Sequence, residues 1–240
     1  MSLVYLIRHG QAGTRQNYDT LSSLGKKQAR LLGEYLVAQG VVFHAVYSGG
    51  MSRQQQTADA VAAAYEAAGI AFPPVTTHEA WREFDLDHIY KAMAPQLCAT
   101  DAAFRVAYEA MREEARRREG DETADVHRRW TPCDIQIVEA WLHGRVPYEG
   151  ESWTAFQQRV GAAELHGDDE DAKIAVFTSA TPAAIWAGRG LDVQDTRALR
   201  IASVLHNASF TLLRVRGEQL RLFSLNESPH LPRPEWRTHR

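Results

Sequence analysis

Arg8 and His9 stand side by side directly after the apolar run Leu3-Val4-Tyr5-Leu6-Ile7, and Gly10 follows them. A guanidinium is a fixed planar cation that can grip a phosphate through two hydrogen bonds, and a neighbouring imidazole can attack phosphorus or shuttle a proton. The pair is therefore a candidate phosphoryl-handling site. On the triplet alone, a structural histidine held by an arginine at a strand end fits equally well.

The elements that would have to position this pair can be traced along the chain. Five apolar residues closed by polar groups and a glycine read as a buried strand of a parallel sheet. In open α/β folds the ligand crevice lies at the carboxyl ends of such strands. Ser22 or Ser23 can cap a helix that carries Ala29, Leu32 and Leu36 on one face and ends near Gly40. A short strand over 45–47 follows, then a helix over 53–68 with Ala58, Val61, Ala62 and Tyr65 on one stripe, stopping at Gly69. This alternation predicts a parallel sheet.

From about 87 to 148 the pattern changes. Residues 103–118 are strongly helical, and the run Arg112-Glu113-Glu114-Ala115-Arg116-Arg117-Arg118-Glu119 reads as a solvated helix face. Gly120-Asp121-Glu122 breaks that helix, and a further one is expected over 134–142. The segment reads as a helical insertion lying over the carboxyl ends of the strands, where it would shape the substrate pocket. Lys173–Thr178 returns to an apolar strand and a helix begins near Pro182. Residues 209–215 and 219–225, joined across Arg216-Gly217-Glu218, predict a β-hairpin at the sheet edge. The Pro-rich tail after Ser228 is expected to be irregular. The expected architecture is a single domain over residues 1–240: a three-layer α/β/α fold with a mostly parallel sheet, a helical insertion over the active site and a C-terminal antiparallel hairpin.

Several segments resemble the histidine phosphatase superfamily, which includes the phosphoglycerate mutases and many small phosphatases. Leu6-Ile7-Arg8-His9-Gly10-Gln11 is similar to its signature, and Leu21-Ser22-Ser23-Leu24-Gly25-Lys26-Lys27-Gln28-Ala29 to the stretch after it. Arg53-Gln54-Gln55-Gln56-Thr57-Ala58 resembles its second arginine motif. Gly150-Glu151-Ser152 with Phe156 and Arg159, and Asn207-Ala208-Ser209 with Asn226 and His230-Leu231, resemble its later segments in the right order.

The resemblance implies a metal-independent reaction with no cofactor. His9 would attack phosphorus and carry the phosphoryl group, while Arg8 and Arg53 would bind its equatorial oxygens. Glu83, in Trp81-Arg82-Glu83-Phe84-Asp85, matches the general acid, whose pKa must be raised for that work. An ordinary exposed loop acid is the alternative for Glu83. Asn17 would add a neutral donor to the phosphate.

The chain departs from the family pattern in three places. The loop Gly49-Gly50-Met51-Ser52 before Arg53 is one residue longer than usual and lacks the usual proline, and a glycine usual after the acid is missing. Where the family strand ends in a second catalytic histidine, this chain reads Val176-Phe177-Thr178-Ser179-Ala180. Loss of such a donor typically costs on the order of 100- to 1000-fold in rate. Ser179 could still donate a hydrogen bond, at roughly half the strength of a charge-assisted one. His206, before the hairpin, would lie at the same end of the sheet as His9 and is weighed as a substitute cation against an ordinary loop histidine.

Composition excludes other classes. With 240 residues and 45% apolar content the chain can bury a sizeable core. A net charge of −3 gives no push toward nucleic acid or anionic membrane. Cys98 and Cys133 form no CxxC, so reduced thiols are expected rather than disulfides or a zinc site. His44, His78, His88, His127, His143, His166 and His239 show no metal-ligand spacing and read as structural or surface residues. Without an export signal or a run of membrane-span length, a soluble cytoplasmic protein is expected. The expected function is a phosphatase acting on a small phosphorylated metabolite. A catalytically degenerate phosphate-binding protein is the alternative, a mutase-type phosphotransferase the third, and a homodimer stays open.

Overall fold

The computed structural model describes residues 2–164, 171–193, 197–217 and 219–240. His166 and the turn residue Glu218 lie outside the described residues. In chain order the elements are β1 (Ser2–Arg8), α1 (Ser23–Ala38), β2 (Ala45–Ser48), α2 (Ser52–Ala67), β3 (Val75–Thr77), α3 (Leu86–Thr100), α4 (Ala102–Arg117), α5 (Asp125–Arg128), α6 (Pro132–Leu142), α7 (Trp153–Gly161), β4 (Lys173–Thr178), α8 (Ala180–Arg189), α9 (Ala198–Ala202), β5 (Phe210–Arg216) and β6 (Gln219–Glu227). They fall into two compact units, one of residues 1–13, 17–83 and 159–240, the other of residues 14–16 and 84–158.

The first unit is built on a six-stranded sheet of order β3-β2-β4-β1-β5-β6. β1 pairs parallel with β4 on one side and antiparallel with β5 on the other. Its position inside the sheet explains why Val4, Leu6 and Ile7 are all buried, since alternate residues of a central strand face opposite covered faces. β2 continues the parallel arrangement between β4 and β3, and the expected hairpin of β5 and β6 forms the other edge. Ser22 caps α1 by accepting from the Gly25 amide at 3.0 Å. α1 ends where Gly40 takes φ +63°, with the Gly40 amide bonded to Val37 O and the Val41 amide to Leu36 O. The buried faces of α1 and α2 meet the sheet through Leu32, Leu36, Val61 and Tyr65, beside Ile7 and Phe177.

The second unit is helical, comprising α3 to α6 and the start of α7. It contains a helix the sequence did not single out, α3, whose N-cap Asp85 accepts from the His88 amide at 2.9 Å. Its interior includes the aromatic pairs Phe84–Trp141 and Trp153–Phe156, with ring centroids 4.7 and 5.7 Å apart. A fully buried carboxylate, Asp134, takes both arms of Arg15 at 2.9 and 2.5 Å, the Thr131 amide at 2.6 Å and its hydroxyl at 2.8 Å. Tyr90 donates to the same carboxylate. Full pairing is what makes a buried charge tolerable. The charged run of α4 forms exposed i,i+3 pairs, Glu113 with Arg116 and Glu114 with Arg117.

The C-terminal segment is irregular apart from a 3-10 turn at Pro234–Trp236, yet it is tied down. Gln28 donates to Trp236 O at 2.7 Å and to the Thr238 hydroxyl at 3.0 Å. The Asn207 amide bonds Thr238 O at 2.7 Å. Contacts with residues far back in the chain order a stretch whose own composition promises nothing.

Candidate active site

The carboxyl end of β1 delivers Arg8 and then His9 into the first unit's interior, where both are buried. Gly10 follows because the chain must pass the start of α1 backbone against backbone. A Cβ on Gly10 would lie 2.4 Å from Gly25 O, and one on Gly25 would lie 2.1 Å from Gln11 O. The Gly10 amide is held by the Thr57 hydroxyl at 3.0 Å, which itself donates to Arg53 O at 2.7 Å. Thr57 thus ties the β1 loop to the first turn of α2.

The hydrogen bonds of His9 define its tautomer. Nδ1 lies 2.7 Å from Gly10 O, and a carbonyl only accepts, so Nδ1 carries the proton. Arg53 Nε donates to Nε2 at 3.1 Å, so Nε2 presents its lone pair. Burial, followed by the charges of Arg53 and Arg8, holds the pKa of His9 well below the usual histidine value. At neutral pH the ring is therefore uncharged, with the Nε2 lone pair facing Arg53.

The other residues singled out in the sequence occupy distinct places. Arg8 is buried and remains a cation, although burial lowers its pKa to about 10. It donates to Leu205 O and, at 2.8 Å, to His239 O, so these two bonds go to backbone carbonyls. Glu83 is partly buried; its Oε2 accepts from the Thr181 amide at 3.1 Å in the first turn of α8, and its charge acts on Arg8. Ser179 directly precedes α8, fully enclosed, and its hydroxyl accepts from Gln54 Nε2 at 2.9 Å. Asn17 is exposed, and its backbone carbonyl accepts from the Thr20 hydroxyl at 3.0 Å. His206 stands near the start of β5, close to His239 with ring centroids 4.8 Å apart. Burial and then the neighbouring His239 lower its pKa.

Three further residues complete the arrangement. Gln54 also bonds Trp81 O at 3.3 Å and accepts from the Met51 amide at 3.2 Å, so it braces both Ser179 and the loop before α2. Asp19 pairs with Arg53 Nη1 at 2.9 Å, and the Tyr18 ring lies 4.9 Å from the same guanidinium. Gln54 and Thr57 sit inside the arginine motif and were open to detection there; Tyr18 and Asp19 carry no sequence signal. Among the described residues no group of three or more His, Cys, Asp or Glu side chains could hold a metal ion, and no helix is long and apolar enough to cross a membrane.

Comparison with known proteins bears on the family and the fold. The family model of the histidine phosphatase superfamily (branch 1) matches residues 4–140, more than half of the chain. The mitochondrial serine/threonine-protein phosphatase Pgam5 of Caenorhabditis briggsae is 30% identical over 93 residues, covering 34% of this chain and 33% of its own length. The chain thus matches about a third of that relative. YhfR of Bacillus stearothermophilus has a similar fold, with TM-score 0.59, 18% identity, and coverage of 96% of this chain and 100% of that one. A putative alpha-ribazole-5'-P phosphatase from Escherichia coli is alike to the same degree, with TM-score 0.59, 18% identity, and coverage of 95% and 97%.

Proposed function

Since the chain belongs to the histidine phosphatase superfamily, we propose that it is a metal-independent phosphatase acting on a small phosphorylated metabolite through a phosphohistidine formed at His9 Nε2. The observation that carries this reading is the buried, neutral imidazole with its proton on Nδ1 and its lone pair on Nε2, beside two arginines. The Nε2 lone pair would attack phosphorus as the bond to the leaving oxygen breaks. Arg53, with Arg8 close by, would offset the charge spreading over the equatorial oxygens. Glu83 would protonate the leaving oxygen and then help a water to release phosphate from the imidazole. A bound dianion beside it would raise its proton affinity for that first step. Asn17 and Ser179 would contribute neutral donors.

A labelled reactive phosphodonor tests the nucleophile. After an alkaline quench, which preserves phosphohistidine, the parent protein is expected to hold label that His9→Ala lacks. Equal label in the two proteins would remove His9 from the reaction.

One observation favours a second reading, a phosphate-binding protein with little turnover. Ser179 is enclosed and bonded to Gln54 where the family pattern has a charged donor. Phosphate binding without His9-dependent hydrolysis would establish that reading.

A further inference from the structure

The segment Asn17 to Thr20 is a tight loop standing on an Ala12–Leu21 bridge, with the Gly13 amide bonded to Thr20 O at 2.8 Å. It turns two residues onto Arg53. The Tyr18 ring faces the guanidinium, and the Asp19 carboxylate takes Nη1 through one oxygen at 2.9 Å and the Ser52 amide through the other at 3.1 Å. An internal carboxylate therefore holds one arm of a buried cation and the first amide of α2, donors that suit an anion. The Arg53 side chain is 4% exposed and that of Asp19 50%. The cation is fixed in the interior while its counter-ion sits on a surface loop. The same guanidinium covers the lone pair of His9 through Nε, so Arg53 as held by Asp19 caps the reactive atom.

We propose that Asp19 is an internal competitor of phosphate: its carboxylate occupies Arg53 when the site is empty, and phosphoryl groups of substrate and product bind by displacing it. Asp19 is thus a positioning residue that acts through Arg53, weakening the hold on phosphate and favouring product release. The inference rests on the reading of Arg53 as a phosphate ligand. A purely structural role has the opposite sign, because a carboxylate that merely steadied Arg53 would strengthen phosphate binding.

Inorganic phosphate and orthovanadate are the probes, titrated into the parent chain, Asp19→Asn, Arg53→Ala and the double variant, each checked for folding by circular dichroism. Asp19→Asn keeps an acceptor for the Ser52 amide and removes the charge; Asp19→Ser, on the same exposed loop, is the second variant. Asp19→Asn is expected to tighten both anions about two- to fivefold, the scale of one partly exposed ion pair. Arg53→Ala should weaken them by tenfold or more, and Asp19→Asn should then have no effect in the Arg53→Ala background. If Arg53→Ala weakens binding but both Asp19 variants leave it unchanged or weaken it, Asp19 does not compete. Equal tightening with and without Arg53 would mean general charge repulsion and also overturns the proposal. Unchanged affinity in Arg53→Ala would remove Arg53 from the phosphate site itself, a failure of the underlying reading that is visible separately.

Discussion

Ser179 is 1% exposed and its hydroxyl receives the Gln54 amide, so on the proposed reading two neutral side chains stand where a second imidazole would reach the phosphoryl group. Ser179→His alone must push Gln54 aside in a closed interior. It is expected to cost on the order of 1–3 kcal/mol of stability, typical of overpacking, without raising turnover. Combined with Gln54→Ala, which removes the obstructing amide, the imidazole has room. Hydrolysis of a generic phosphomonoester should then rise, bounded by the roughly 100- to 1000-fold that such a donor supplies. Gln54→Ala alone is the control, because Gln54 also holds Trp81 O and the Met51 amide. A folded, phosphate-binding double variant with unchanged turnover would show that a charged donor is not what limits this site.

At the scale of elements, the placement of β1 and α1 is legible because the information is local: a five-residue apolar run, a capping serine and a terminal glycine act within a few residues. The expected strands β2 and β4, the hairpin and the helices α1, α2, α4 and α6 match the described elements within a few residues. What could not be read depends on pairs far apart in sequence. Arg15 meets Asp134 across 119 residues, and Gln28 meets Thr238 across 210. The second case has a direct consequence. Gln28 is fully buried; its oxygen takes the Gln11 amide at 2.7 Å and its nitrogen holds the C-terminal segment, so one side chain joins α1, the loop after His9 and the tail. Gln28→Ala leaves those groups unpaired and is expected to cost on the order of 1–3 kcal/mol. The tail should loosen before the sheet does. Limited proteolysis should therefore cut between 232 and 238 sooner in the variant, with a lower urea midpoint. An unchanged cleavage rate in this stretch would mean the tail is held by its other contacts.

For the molecule as a whole, a neutral buried histidine bears on stability as well as on the proposed chemistry. His9 titrates well below its ordinary value because it is buried beside two cations, and burial lowers His230 to about 4. His230 is enclosed among Tyr35 and Phe210, and burial outweighs the opposing effect of a bond with the Ala208 backbone. In the unfolded chain both would take up protons near pH 6.5. Below that pH the unfolded state binds more protons than the folded one, so the stability present above about 6.5 is lost as pH falls toward the folded values. Each such group contributes a slope of about 1.4 kcal/mol per pH unit once its unfolded form is protonated. Urea midpoints are therefore expected to fall steadily from pH 7 to pH 5, before carboxylates of ordinary pKa begin to titrate. His230→Leu should flatten the fall by one group's slope and His9→Ala by another, leaving the smaller contributions of His206 and His239, whose pKa values burial also lowers. A midpoint that holds steady over this range would show that these rings are protonated in the folded protein, and a His230→Leu protein with the parent's slope would show it for His230 alone. In the first case Nε2 of His9 would carry a proton and could not be the acceptor that its bond from Arg53 describes.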